Sequence, residues 1–143
     1  MEEIVVDASV VVKWFIVEED REKALRIRDD YIEGRMTLSA PSLMPFEVIN
    51  AIRYARKDIG IERLSQIAKS LSLYGIWLHS LLREEYAEKT INTALNNNIS
   101  VYDASYVALA EHLQTILYTT DSDLINRLHK EDKTHLKHLN DYT

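Results

Sequence analysis

Cysteine is absent from all 143 residues, which excludes disulfides, thiolate zinc sites and cysteine nucleophiles and fits a reducing cytosol. The three glycines form neither a phosphate-cradling loop nor a Gly-x-Ser-x-Gly nucleophile elbow. No apolar run reaches membrane-spanning length. The opening MEEIVVDAS places two acids before a very short apolar run, the pattern of neither a signal peptide nor an anchor. The expected location is therefore the cytoplasm, with no membrane partner. Positive charge is also scarce: 17 Lys plus Arg against 23 Asp plus Glu give a formal charge of −6. That is the wrong sign for gripping nucleic acid by counterion release alone. If part of the acid excess is gathered around a cation, the remaining surface is closer to neutral.

What is present is ordinary globular composition, 46% hydrophobic and 28% charged, at a length suited to one domain over residues 1–143. Ile4 to Val6 is a β-branched run feeding a turn at Asp7-Ala8-Ser9, and Val10 to Val17 reads as a short helix. Glu18 to Glu33 has an amphipathic helical pattern ending near Gly34. Leu38 to Ala40, before Pro41, is a second strand. A helix from Leu43 to about Asp58 looks apolar nearly all round, and Ile61 to Leu73 forms another after Gly60. Ile76 to Leu78 is a third strand. Glu84 to Asn97 and Ser100 to His112 are helices, Thr115 to Thr119 a strand and Ser122 to His129 a helix. The tail from Thr134 to Tyr142 suits an edge strand. Strands alternating with helices predict an α/β fold, a three-layer α/β/α sandwich around a mainly parallel sheet of four or five strands.

Four carboxylates stand out within this pattern. Asp7 and Asp121 directly follow predicted strands, and sites in such sheets lie at the carboxyl ends of strands. Asp7 alone also suits an Asx turn or helix cap. Glu47 lies on the apolar helix, three residues before Asn50, and needs an internal partner or neutralisation; an arginine salt bridge is the ordinary alternative. Ser100-Val101-Tyr102-Asp103 matches a capping box, which leaves one Asp103 oxygen for other work. Asp121 or Ser122 suits a helix cap, with Asp123 as a first-turn acid. If the four meet, each like-charged pair at 4 Å costs about 4 kcal/mol at an effective dielectric of 20, and a cation is what relieves it. His135 and His138, in a polar tail, read as surface histidines.

The order VVDAS, PFEVINAI, SVYDASYVALAE and YTTDSDL resembles the PIN-domain ribonucleases, and within them the VapC-like toxins of toxin–antitoxin pairs, over essentially the whole chain. The resemblance places metal-binding and catalytic acids at Asp7, Glu47, Asp103 and Asp121, with Asp123 as an additional ligand. It places supporting residues at Ser9, Asn50 and Thr119. It implies one or two Mg²⁺ or Mn²⁺ ions, which oxygen-only ligands select over zinc, and endonucleolytic cleavage of single-stranded or loop RNA. A cognate antitoxin and a homodimer are the implied partners. Lys13, Arg53, Arg56 and Lys57 flank the expected site and are the candidate contacts to the RNA backbone.

Two other enzyme or signalling classes fit less well. A haloacid-dehalogenase-like phosphatase would carry a second Asp where Ser9 stands, and a receiver domain would carry a lysine after a late strand, where TILYTTDSD has none. A non-catalytic RNA- or protein-binding module, with the acids acting as caps, is the alternative from a different class.

Overall fold

Ile4, Val5 and Val6 are all buried, although successive strand residues point to opposite faces. Both faces of this strand are therefore covered, as the apolar run requires of a parallel sheet. The computed structural model describes residues 2–143. Its strands β1 (Glu2–Val6), β2 (Met36–Pro41), β3 (Trp77–His79), β4 (Ile116–Thr119) and β5 (Leu136–His138) form one sheet. The order is β3-β2-β1-β4-β5, and every neighbouring pair is parallel.

The order locates the site. From β1 the chain steps outward to β2 and β3, then returns to lay β4 on the other side of β1, with Val6 opposite Tyr118. Connections reverse direction between β1 and β4, and the crevice at the carboxyl ends of such strands is where ligands bind in open α/β sheets. Asp7 follows β1 and Asp121 lies two residues beyond β4.

The helices are α1 (Ala8–Val12), α2 (Arg21–Ile32), α3 (Met44–Ala55), α4 (Ile61–Tyr74), α5 (Glu84–Asn97), α6 (Val101–His112), α7 (Ser122–Arg127) and α8 (Lys130–Lys133). α6 packs against β1, β2 and β4, with α5 against it. Residues Ala104 to Ala110 are all buried, so α6 is the helix enclosed on every side. The sequence pattern suggests that role for α3. Instead α3 buries one stripe, Met44, Val48 and Ile52, and leaves Phe46 79% and Tyr54 61% exposed. Its apolar outer face looks onto solvent because α1 and α4 cover only part of its circumference.

Other differences lie at element ends. α1 begins immediately after Asp7 and stops at Val12, and the following residues form turns. α2 starts only at Arg21, after Asp20 in the left-handed region at φ 63°. Leu128 is extended and ends the last expected helix as α7 at Arg127, and a short helix beyond the expected one, α8, follows. α5 ends at left-handed Asn98, φ 51°, a conformation that asparagine tolerates better than most residues. The tail supplies the edge strand β5, paired with β4.

Candidate active site at the carboxyl edge of the sheet

Asp7 occupies the N-cap position of α1, yet its side chain makes no cap bond. Its Oδ2 instead accepts the Ser9 hydroxyl at 2.6 Å and the Thr119 hydroxyl at 2.9 Å. The Thr120 N–H donates to Ser9 Oγ at 3.2 Å, and the Asp121 N–H donates to Thr119 Oγ1 at 3.1 Å. These bonds lock the turn after β1 to the turn after β4. Burial raises the Asp7 carboxyl above its ordinary value, the two hydroxyls oppose the shift, and the Asp103 charge adds to it.

Glu47, half-buried on α3, accepts the Tyr106 hydroxyl on Oε1 at 2.6 Å. Burial raises this carboxyl, and the charges of Asp7 and Asp103 push the same way. Asp103 is raised by burial and by Asp121. Asp103 thus acts electrostatically on Asp7 and Glu47 and feels Asp121, so the four acids share one field. Among the described residues none of the four takes part in an ion pair with Lys or Arg. The arginine salt bridge weighed for Glu47 does not form.

The cap readings divide. Ser100 Oγ accepts the Asp103 N–H at 3.0 Å, so the serine arm of the capping box forms. Asp121 does cap α7, with Oδ1 accepting the Leu124 N–H at 3.0 Å. Asp123 follows in the first turn and is exposed.

A groove of about 880 Å³ opens beside Glu47, lined by Leu43, Phe46, Glu47, Asn50, Arg53 and Tyr102 among others. Arg53 also lines an adjoining groove of about 600 Å³ with Lys57 and Tyr54, its guanidinium 4.9 Å from the Tyr54 ring centre. Arg56 is exposed and lies 3.4 Å from Asp58. Lys13 is 7% exposed and lies 3.4 Å from Glu18, so its ammonium is turned into the fold. His135 and His138 are half-buried: the His135 ring bonds the Thr115 carbonyl at 3.0 Å, and His138 accepts the Asn140 N–H at 3.1 Å.

Chemically the site fits a hard divalent cation. It offers oxygen donors alone, with no ion pair to Lys or Arg among the described residues, and like charges that push one another's carboxyls up. Among the described residues no three acids or histidines stand close enough together to hold an ion as they are, so the fit lies in the chemistry of the donors. Sequence reading missed Tyr106. Its signal was available: within SVYDASYVALAE it lies three residues after Asp103, one turn along the same helix. Tyr86, buried in α5, bonds the Ser105 carbonyl at 2.7 Å and touches none of the four acids.

Comparison with known proteins agrees with this geometry. The chain is 31% identical over 128 residues to Ribonuclease VapC3 of Pyrobaculum aerophilum, spanning 87% of this chain and 93% of that protein. In fold it is similar to the crystal structure of PAE2754 from Pyrobaculum aerophilum, with a TM-score of 0.63 and 20% identity over 97% of this chain and 90% of that one. It is also similar to a toxin–antitoxin complex from Klebsiella pneumoniae, with a TM-score of 0.58 and 13% identity over 83% and 87% of the two chains. The PIN domain pattern matches residues 4–130, from inside β1 to the start of α8 and across all four carboxylates, and the chain belongs to the PIN-domain family.

Proposed function

We propose that the protein is a Mg²⁺- or Mn²⁺-dependent endoribonuclease and the toxin of a toxin–antitoxin pair. The observation that carries this reading is the set of four acids in one field at the β1/β4 switch point, none of them in an ion pair with Lys or Arg among the described residues. The Ribonuclease VapC3 match over most of both chains supports the substrate class. Asp7, Glu47, Asp103 and Asp121 would hold one or two cations, with Asp123 as an additional ligand. A bound cation supplies an activated water and neutralises charge growing on the phosphate. The chain's own residues do the rest: Ser9 and Thr119 fix the Asp7 carboxylate, and one acid of the set takes the proton of the attacking water. Asn50 lines the groove beside Glu47, and Arg53 and Lys57 offer positive charge to the RNA backbone along it. The protein would act in the cytoplasm as a homodimer, restrained by a cognate antitoxin.

Cleavage of an end-labelled single-stranded RNA tests the reading. The wild type should cut with Mn²⁺ or Mg²⁺ and stop on chelation, and Asp7→Asn should lose at least about 100-fold in rate while keeping its circular dichroism. Cleavage by Asp7→Asn at the wild-type rate would overturn the assignment. RNA binding without cutting, at any cation, would instead mark a non-catalytic binding module.

A further inference from the structure

Three of the four site carboxylates have one oxygen engaged by a donor of the protein itself. Asp7 Oδ2 is held by Ser9 and Thr119, Asp121 Oδ1 by the Leu124 N–H, and Glu47 Oε1 by the Tyr106 hydroxyl. No side-chain donor among the described residues reaches the other oxygen of any of them. Asp121 is held from the first turn of its own helix, and Asp7 by its neighbour Ser9 and by Thr119 at the end of β4. Glu47 differs, because its donor comes from another helix. Tyr106 is 2% exposed on the fully enclosed helix α6, so the ring has no room to swing away.

We propose that Tyr106 is a positioning residue that holds Glu47 as a one-oxygen ligand, tuning the site to small octahedral cations and against Ca²⁺. This rests on the cation-dependent reading above. Mg²⁺ requires near-octahedral oxygens at about 2.0–2.1 Å, usually one per carboxylate, whereas Ca²⁺ takes about six to eight at 2.3–2.6 Å and readily uses both oxygens of one acid. For Glu47 to grip Ca²⁺ with both oxygens, Oε1 must turn toward the ion and share its lone pairs with the phenol, which strains the 2.6 Å bond from a buried hydroxyl. Ca²⁺ therefore bears a cost that Mg²⁺ does not.

Isothermal titration of the full chain with MgCl₂, MnCl₂ and CaCl₂, without RNA, tests the proposal. Tyr106→Phe keeps the ring in the core and removes one oxygen. It should weaken Mg²⁺ and Mn²⁺ binding by about 10-fold, the usual loss for a partner that orients a ligand, and leave Ca²⁺ binding equal to or tighter than in the wild type. Tyr86→Phe, which deletes a buried tyrosine hydroxyl that touches none of the four acids, should leave the ratio of the two affinities unchanged. Equal weakening of Mg²⁺ and Ca²⁺ in Tyr106→Phe, an unmoved ratio, or the same shift in Tyr86→Phe would overturn the role of Tyr106 while leaving the nuclease reading standing. A wild type that binds none of the three ions would overturn both.

Discussion

The Thr119 hydroxyl donates to Asp7 Oδ2 at 2.9 Å, joining residues 112 positions apart in the chain. The same Oγ1 accepts the Asp121 N–H. One buried hydroxyl thus ties the acid after β1 to the backbone of the acid after β4. The two turns form one rigid platform, and any ligand on one of these acids feels the placement of the other.

Cation binding should be visible in stability. Mn²⁺ at 100 times its Kd adds about 2.7 kcal/mol, which for a domain of this size raises Tm by roughly 8 °C. Differential scanning fluorimetry should show that rise in the wild type and lose most of it in Asp103→Asn, because Asp103 is the acid whose charge reaches both Asp7 and Glu47. An undiminished shift in the variant would place the ion elsewhere.

Without metal, the same acids should work against folding near neutral pH. Asp7, Glu47 and Asp103 are all raised above their ordinary values, first by burial and then by one another. A carboxyl with a raised folded-state pKa binds more protons folded than unfolded, so stability falls as pH climbs from the ordinary carboxylate value through the raised one. Asp103→Asn removes the central charge and should stabilise the chelated protein at pH 7 by about 1 kcal/mol after solvent screening, or roughly 3 °C in Tm. That advantage should shrink at pH 4, where the wild-type acids take up protons. A gain independent of pH would point to packing instead.

A second pH effect belongs to the opposite end of α6. Burial and the neighbouring Asp132 push the Glu111 carboxyl up to about 8, while Asp132 is held low by Glu111 and Asn97. The Glu111 contribution is complete below its unfolded value and lost as pH rises through about 8. Glu111→Gln keeps a donor for Asp132 and should flatten Tm between about pH 5 and 8, where the wild type declines. An equally steep decline in both proteins would show that another group is responsible.

Asn97 clamps the C-terminal segment to α5. Its buried amide donates to Asp132 Oδ2 at 2.8 Å and the Thr93 carbonyl at 2.9 Å, and its Oδ1 accepts the His129 N–H at 2.7 Å. Asn97→Ala strands these partners and should cost about 2 kcal/mol, read from urea unfolding. Hydrogen exchange should quicken first across α8 and β5, with β1 and β4 retaining protection. Uniform loss of protection would contradict a local clamp.

Among the basic residues considered for RNA contact, Arg53 and Lys57 line the grooves, whereas the Lys13 ammonium faces Glu18 inside the fold. Arg53→Ala and Lys57→Ala should raise KM for RNA several-fold and lessen its salt dependence, with kcat little changed. Lys13→Ala should lower Tm more than it alters KM. Loss of kcat in the groove variants would move those residues to the chemistry itself.

Local pattern determined much of this protein. The β-branched run ending at Asp7 and the Ser100 cap are properties of neighbouring residues, and short-range sterics and hydrogen bonding settle them wherever the segment lies. The order of the acids along the chain also carried the family resemblance. Tertiary structure decided what depends on partners distant in sequence. It made Asp7 an acceptor for Thr119 as well as for its neighbour Ser9, because β4 was laid beside β1 rather than beside β3. It gave the fully enclosed position to α6 and left the outer face of α3 to solvent, since hydropathy records that a residue is apolar but not which neighbour arrives to cover it. It also set Tyr106 against Glu47, a contact between two helices that no periodicity within either one encodes.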